Sequence, residues 1–305
     1  MKKEKTLKFN FTEEMKRELQ KSYHEALEKP EFQVLVKELH LPADLLMKYT
    51  SNLEEASVEY NHCQHCKGLM HCKNKMTGYA YLPRVDQGQI SFCYQACKYK
   101  QKRDRETSYL KNMYLLHVPE DLKNASLKNI YMDDERRFEA IKYVTNFVKT
   151  YHKDPHQKGL YLHGSFGSGK TYLISAAFRE LAKKGVKSAI VFWPEMLNEL
   201  KESFNNGTFN EKIETLKKTP LLLIDDIGAE STTAWSRDEI FCPIVQYRMQ
   251  EHLPTFFTSN LTKKELEQHF SISKDGVEHV KAGRVIERIN QLTTDITLMS
   301  KNLRH

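Results

Sequence analysis

An α/β fold with a parallel sheet covered by helices on both faces, preceded by a small helical, cysteine-rich domain, is what this 305-residue sequence predicts. Three observations predict it. In the C-terminal half, short wholly apolar runs alternate with stretches of helical periodicity. One of those runs leads into a glycine-rich segment that opens a helix. Five of the six cysteines fall between positions 63 and 97.

Residues 4–29 are highly charged, with Leu7, Phe11, Met15, Leu19, Tyr23 and Leu27 at helical spacing. Pro30 interrupts, and further helices are expected at about 31–40 and 42–60. Together they predict a small helical bundle whose core is the apolar stripe. The cysteine segment follows. Lys98 to Glu106 is charged and lacks apolar periodicity, so it reads as the end of the small domain and the start of a linker. The expected division is a domain over 1–105, a linker over 106–130 and a second domain over 131–305.

The second domain begins with a helix over 133–151 that carries Phe138, Ile141, Val144, Phe147 and Val148 on one side. Apolar runs at 159–163, 188–193, 221–224 and 255–258 then alternate with helices at 170–184, 196–204 and 237–251. Uniformly apolar strands between helices indicate a parallel sheet buried on both faces.

Composition narrows the setting. Apolar residues make up 40% and charged residues 29%, ordinary for a globular protein. No apolar run approaches the ~20 residues that span a bilayer, so no membrane partner is expected. The charged N-terminus lacks the apolar stretch of a signal peptide, and a cytoplasmic location is the expectation. The formal charge of +7 is mildly basic and is explained mostly by solvated surface. In a reducing compartment, clustered cysteines point to a metal site rather than to disulfides.

Gly164, Ser165, Phe166, Gly167, Ser168, Gly169, Lys170 and Thr171 form G-x-x-x-x-G-K-T between an apolar strand and a helix. Glycines let the backbone curl so that successive N–H groups face phosphate oxygens. The helix N-terminus adds partial positive charge. Lys170 is expected to reach the β- and γ-phosphates of ATP, with Thr171 as a Mg²⁺ ligand. The run Leu221 to Ile224 ends in Asp225 and Asp226. Ligands of open α/β sheets bind at that strand end. Asp225 is expected to hold Mg²⁺ through water, and Asp226 to orient the attacking water. Asn260, after the run at 255–258, is placed to bond the γ-phosphate or that water; an ordinary strand-end turn accounts for the same residues.

Cys63-x-x-Cys66 is a knuckle that can place two thiolates on one Zn²⁺ ion, which takes four ligands. Cys72, Cys93 and Cys97 compete for the other positions, with His62, His65 and His71 nearby. A closed, structural site is expected, contributing much of that segment's stability.

In this order these motifs resemble the AAA+ superfamily. With Leu221 to Gly228 (LLLIDDIG), Thr258-Ser-Asn260 and Gly283 to Ile289 (GRVIERI), the chain is similar to the bacterial helicase-loader branch, the DnaC and DnaI family, to which the transposition ATPase IstB is related. The cysteine-rich domain resembles the DnaI type. The resemblance implies a slow, regulatory ATPase that loads the hexameric replicative helicase onto single-stranded DNA in the primosome, self-assembles on the helicase ring and grips the helicase through residues 1–105. It implies Walker A at 164–171, Walker B at Asp225 and Asp226, and sensor 1 at Asn260. It further implies an arginine finger at Arg288 or Arg284, with Arg288 preferred, and a sensor 2-like Arg304. It places the last zinc ligand at Cys97, giving the set Cys63, Cys66, Cys72 and Cys97, with Cys93 in reserve. The sequence departs from many AAA+ proteins in two ways. Walker B is Asp-Asp rather than Asp-Glu, and too few residues follow Arg288 for a full helical lid. An IstB-like transposition ATPase on duplex DNA, or an ATP-binding scaffold without DNA contact, are the rival expectations.

Overall fold

A computed structural model describes residues 12–273 and 276–303, so Leu7, Phe11 and Arg304 lie outside the described residues. The chain divides into two compact units, Met1–Thr107 and Ser108–His305.

The first unit opens with α1 (Glu13–Leu27), where the Thr12 hydroxyl accepts the Met15 N–H as an N-cap. α2 (Pro30–Leu39) starts on proline, whose missing N–H costs nothing in a first turn. The expected third helix is broken into α3 (Ala43–Leu46), a tight 3₁₀ turn and α4 (Thr50–Gln64). Tyr23, Phe32, Leu35, Leu53 and Ala56 form the buried core. Of the expected stripe, Tyr23 is buried while Met15 is exposed. The cysteine segment contains an antiparallel hairpin, β1 (Tyr79–Asp86) and β2 (Gln89–Ala96). Its two-residue turn, Gln87 and Gly88, has φ of 48° and 78°. Such a left-handed pair matches the twist of the flanking strands. Glu59 on α4 is buried and accepts the N–H groups of Lys75 (3.2 Å) and Tyr81 (2.6 Å), which ties the hairpin to the helices. Lys98–Thr107 is a helix, α5, where irregular chain was expected.

The second unit is built on a six-stranded sheet. In chain order the elements are β3 (Met113–Leu116), α6 (Glu120–Lys123), α7 (Phe138–Thr150), β4 (Gly159–Gly164), α8 (Lys170–Lys183), β5 (Ser188–Phe192), α9 (Trp193–Asn206) and α10 (Phe209–Lys218). There follow β6 (Leu221–Asp225), a wide π-helical segment (Trp235–Phe241) running into α11 (Cys242–Gln250), β7 (Thr255–Ser259) and α12 (Lys263–Ser271). A small ribbon of β8 (Ile272–Ser273) and β9 (Gly276–Val277) leads to α13 (His279–Leu292) and β10 (Thr293–Leu298). The sheet order is β10-β4-β7-β6-β5-β3, every pair parallel. Residues 113–116, expected in the linker, therefore pair with β5 as an edge strand.

Successive residues of the apolar runs serve opposite faces, as a strand period of two requires. Leu221, Leu223, Leu160 and Leu162 pack with α7 and α8, and Phe256 joins them. Leu222, Ile224, Tyr161 and Phe257 pack with α9, α11 and α13 on the other face. Phe256 meets Phe147 and Phe178 edge to face, at centroid distances of 4.9 and 5.1 Å. Phe138 departs from the expected buried face of α7 and is exposed; Ala140 takes the core position. No helix follows α13 among the described residues.

One buried cation ties the strand starts together. Arg248 on α11 is fully buried. Its guanidinium donates to the carbonyls of Leu216 (3.0 Å), Lys217 (3.1 Å), Thr219 (2.7 Å) and Pro254 (2.9 Å) and to the Thr255 hydroxyl (2.8 Å). These groups belong to the segments entering β6 and β7. Arg248→Leu keeps the aliphatic bulk and leaves the carbonyls without donors, so it should lower stability by about 3 kcal/mol or more. Urea unfolding measures this; a loss below ~1 kcal/mol would contradict the role.

Candidate functional site: a phosphate loop facing two aspartates

β4 delivers Gly164 at the sheet's C-terminal edge with φ of 141°, where a side chain would collide with the Leu298 backbone. Gly167 and Gly169 follow with φ of 69° and 82°, on either side of Ser168. Alternation of this kind makes a concave nest of N–H groups, and α8 starts immediately after it at Lys170. Phe166 is exposed on the loop, 73% accessible.

Lys170 is nearly buried. Its ammonium donates to the carbonyls of Gly164 (3.1 Å) and Ser165 (3.0 Å) and to Asn260 Oδ1 (2.8 Å). The Asn260 amide in turn donates to Asp226 Oδ1 at 3.0 Å. A continuous polar chain thus runs from the loop lysine across the end of β7 to the end of β6. Asp225 accepts hydrogen bonds from the hydroxyls of Thr171 and Thr258, both at 2.5 Å. Burial holds the Asp225 carboxyl above the usual carboxylate range, neighbouring Asp226 adds to this, and the two hydroxyls and Lys170 oppose it. Asp226 sits in the left-handed region, φ 57°, which a short polar side chain tolerates. Its N–H donates to the Thr258 hydroxyl at 2.9 Å.

The expected residues Gly164, Lys170, Thr171, Asp225, Asp226 and Asn260 are therefore brought together. Two more belong to the same cluster. Thr258 bonds both aspartates; its one sequence signal is a hydroxyl inside the otherwise apolar β7. Arg137, just before α7, is buried and donates to the Ser168 carbonyl and, at 3.3 Å, to the Ser300 hydroxyl. Nothing local marks it in the sequence. The two candidate fingers lie on α13. Arg284 is exposed. Arg288 is half-buried, held by Gln246 Oε1 (2.5 Å) and by the Arg284 carbonyl (3.0 Å).

In the first unit, Cys63, Cys66, Cys72 and Cys97 line one cavity. Cys93 stands apart, exposed on β2 opposite Leu82. The hairpin brings the ends together, since the Cys97 N–H donates to the Gly78 carbonyl at 2.8 Å. The Gly78 N–H donates to Cys72 Sγ, and the Asn74 amide to Cys63 Sγ, each at 3.4 Å. Burial pushes the Cys63 thiol up, Asn74 opposes this, and the nearness of Cys97, Cys66 and Cys72 raises it further. His62 and His65 are bonded to Asn74 and to the Asn61 carbonyl. Among the described residues, no three His, Cys, Asp or Glu side chains are drawn into metal-binding geometry. The four cysteines do share one cavity, and two of their sulfurs accept N–H groups.

Fold and loop together define an ATP-binding protein of the P-loop class. The model of the IstB-like ATP binding proteins matches residues 99–280. The replicative helicase loader DnaI of Bacillus subtilis is 38% identical over 262 residues, 86% of this chain and 84% of that protein. A crystal structure of DnaI, 45% identical, superposes with a TM-score of 0.57 over 64% of this chain and 99% of the other. A structure titled a putative primosome component from Streptococcus pyogenes, 33% identical, gives 0.53 over 67% of this chain and 100% of the other. The chain belongs to the DnaI and DnaC family of replicative helicase loaders, within the IstB-like ATP binding proteins. No helix is long and apolar enough to cross a membrane among the described residues.

The buried Asp225 gives a pH test. A carboxyl whose folded pKa is raised favours folding while neutral, and that contribution is lost as pH rises through the folded value. Asp225→Asn should therefore raise the Mg²⁺-free melting temperature by a few degrees at pH 8, with the gain shrinking as pH falls below the raised pKa. The same change should abolish the added stabilisation by Mg²⁺ and ATP. Thermal melts across pH check both; a variant less stable at pH 8 and unchanged in its Mg²⁺-ATP shift would contradict the assignment.

Proposed function

We propose that this protein is an ATP-controlled loader of the replicative helicase. The observation that carries the reading is the chain of contacts Lys170–Asn260–Asp226 beside the Thr171–Asp225 pair, in a member of the loader family. ATP binds with its phosphates over the N–H groups of 164–171, and Lys170 leaves Asn260 for the β- and γ-phosphates. Thr171 and Asp225 hold the Mg²⁺ position. Asp226 and Asn260 orient the attacking water, and the short Asp226 makes hydrolysis slow. ATP then works as a switch that controls assembly on the helicase ring, contact with single-stranded DNA and release.

Arg288 serves as the arginine finger of a neighbouring subunit. It adds positive charge where negative charge develops on the transferring phosphoryl group. Arg288→Ala should bind ATP nearly as the wild type does and lose hydrolysis in the assembled state, by up to about 10³-fold. Mixing Arg288→Ala with Lys170→Ala subunits should restore some activity, because an intact loop can then face an intact arginine. Co-assembled mixtures that stay inactive at every ratio would assign Arg288 a role within its own subunit.

The first unit, Met1–Thr107, is the helicase-gripping domain, and the second, Ser108–His305, is the ATPase domain. Cys63, Cys66, Cys72 and Cys97 hold one Zn²⁺, whose charge stabilises the four thiolates and fastens the hairpin to α4. The full chain should co-elute with the hexameric helicase and contain one zinc per chain. Cys63→Ser should lower zinc content and helicase capture together, with ATP binding intact. Zinc-free wild-type protein that still captures the helicase would remove the metal from the account, and no co-elution at all would remove the loader reading.

A further inference from the structure

The backs of two successive peptide groups in the phosphate loop are held from outside the loop. The Gly167 carbonyl accepts the Leu303 N–H at 2.8 Å. The next carbonyl, of Ser168, accepts the Arg137 guanidinium. In a trans peptide the C=O and the following N–H point in opposite directions. Fixing the Gly167 carbonyl outward therefore aims the Ser168 N–H inward, and fixing the Ser168 carbonyl aims the Gly169 N–H inward. These are two of the donors that a phosphate-binding nest needs.

The two holds are joined to each other. Arg137 also reaches the Ser300 hydroxyl at 3.3 Å, and the Ser165 hydroxyl donates to the Ser300 carbonyl at 2.9 Å. Lys301 pairs with Asp133, four residues before Arg137, at 2.8 Å. A side chain at Gly167 would overlap the Asn302 amide, so the tail lies directly on the loop. Arg137 is almost wholly buried, and its Nε has no hydrogen-bond partner. Placing a guanidinium there without a carboxylate bonded to it costs stability. A compensating gain is expected where anionic phosphate arrives on the other side of the same peptide.

We infer that Arg137 and the C-terminal segment 300–303 are positioning residues for nucleotide binding, holding the Gly167–Ser168 and Ser168–Gly169 peptides with their N–H groups turned toward the phosphates. This rests on the nucleotide site proposed above. It adds that phosphate affinity is set partly by Arg137, ahead of α7, and by residues 300–303 beyond β10, both acting through the loop's carbonyl groups.

The test uses the full-length chain, Mg²⁺ and a fluorescent ATP analogue. Arg137→Ala should weaken binding roughly tenfold to a hundredfold, the range for losing a hydrogen bond to a charged group. Arg137→Lys, which keeps a cationic donor, should recover much of that loss. Leu303→Pro removes the tail N–H that holds Gly167 and should weaken binding several-fold. Leu303→Ala, which keeps that N–H, should bind more tightly than Leu303→Pro. Deuterium exchange over residues 165–170 of the free protein should quicken in Arg137→Ala and Leu303→Pro alone. If Arg137→Ala does not fold, the Leu303 pair decides the matter. Equal affinity of Leu303→Pro and Leu303→Ala, or wild-type affinity in Arg137→Ala while Lys170→Ala loses binding, would overturn the inference. A wild-type chain that takes up no nucleotide would overturn the site reading as well.

Discussion

The second unit is organised around one nearly buried ammonium group. Lys170 has to be satisfied at the point where β4, the loop and α8 meet, and it finds two loop carbonyls and Asn260. Taking a charge out of water is tolerated only with such partners. The lysine therefore fixes the curl of the loop, and through Asn260 it fixes the end of β7 against Asp226 at the end of β6. A phosphate group would compete for the same ammonium. Binding there would loosen Asn260 from Lys170, so the sheet edge would respond to what occupies the loop.

The first unit solves a different problem. Its apolar core is small, centred on Phe32, Leu53 and their neighbours. The hairpin joins that core through Ile90, with Tyr81 and Phe92 packed against it, and is also held by the buried Glu59 carboxylate. A hairpin alone is marginal in water. A cation among four thiolates would close the segment from Cys63 to Cys97 where apolar burial is scarce.

How much of this was legible follows from burial. β4 to β7 are interior strands covered on both faces, so they stand in the sequence as unbroken apolar runs. The two strands without such a signal, β3 and β10, are the two edges of the sheet. β10, Thr293–Leu298, alternates polar and apolar and resembles a loop. β3, Met113–Leu116, falls in the expected linker because the charged stretch from Lys98 to Glu106 ahead of it carries no apolar periodicity to frame it. The hairpin was hidden behind the cysteines, although its Gln-Gly turn was readable. In the site, Gly164 to Thr171 and the two aspartates were legible because their chemistry dictates residue type and spacing. Thr258 and Arg137 were not. Each acts through the backbone or side chain of another residue, and that role leaves no spacing rule in the sequence.

The central claim is that Lys170, Asn260 and the two aspartates form one nucleotide-responsive network. A crystal structure of the full chain with Mg²⁺ and a non-hydrolysable ATP analogue tests it most directly. The account predicts that Lys170 Nζ leaves Asn260 Oδ1 for phosphate oxygens, and that Mg²⁺ enters between Thr171 and Asp225, now 2.5 Å apart. An analogue bound elsewhere, or bound at the loop with the Lys170–Asn260 contact still at 2.8 Å, would contradict it.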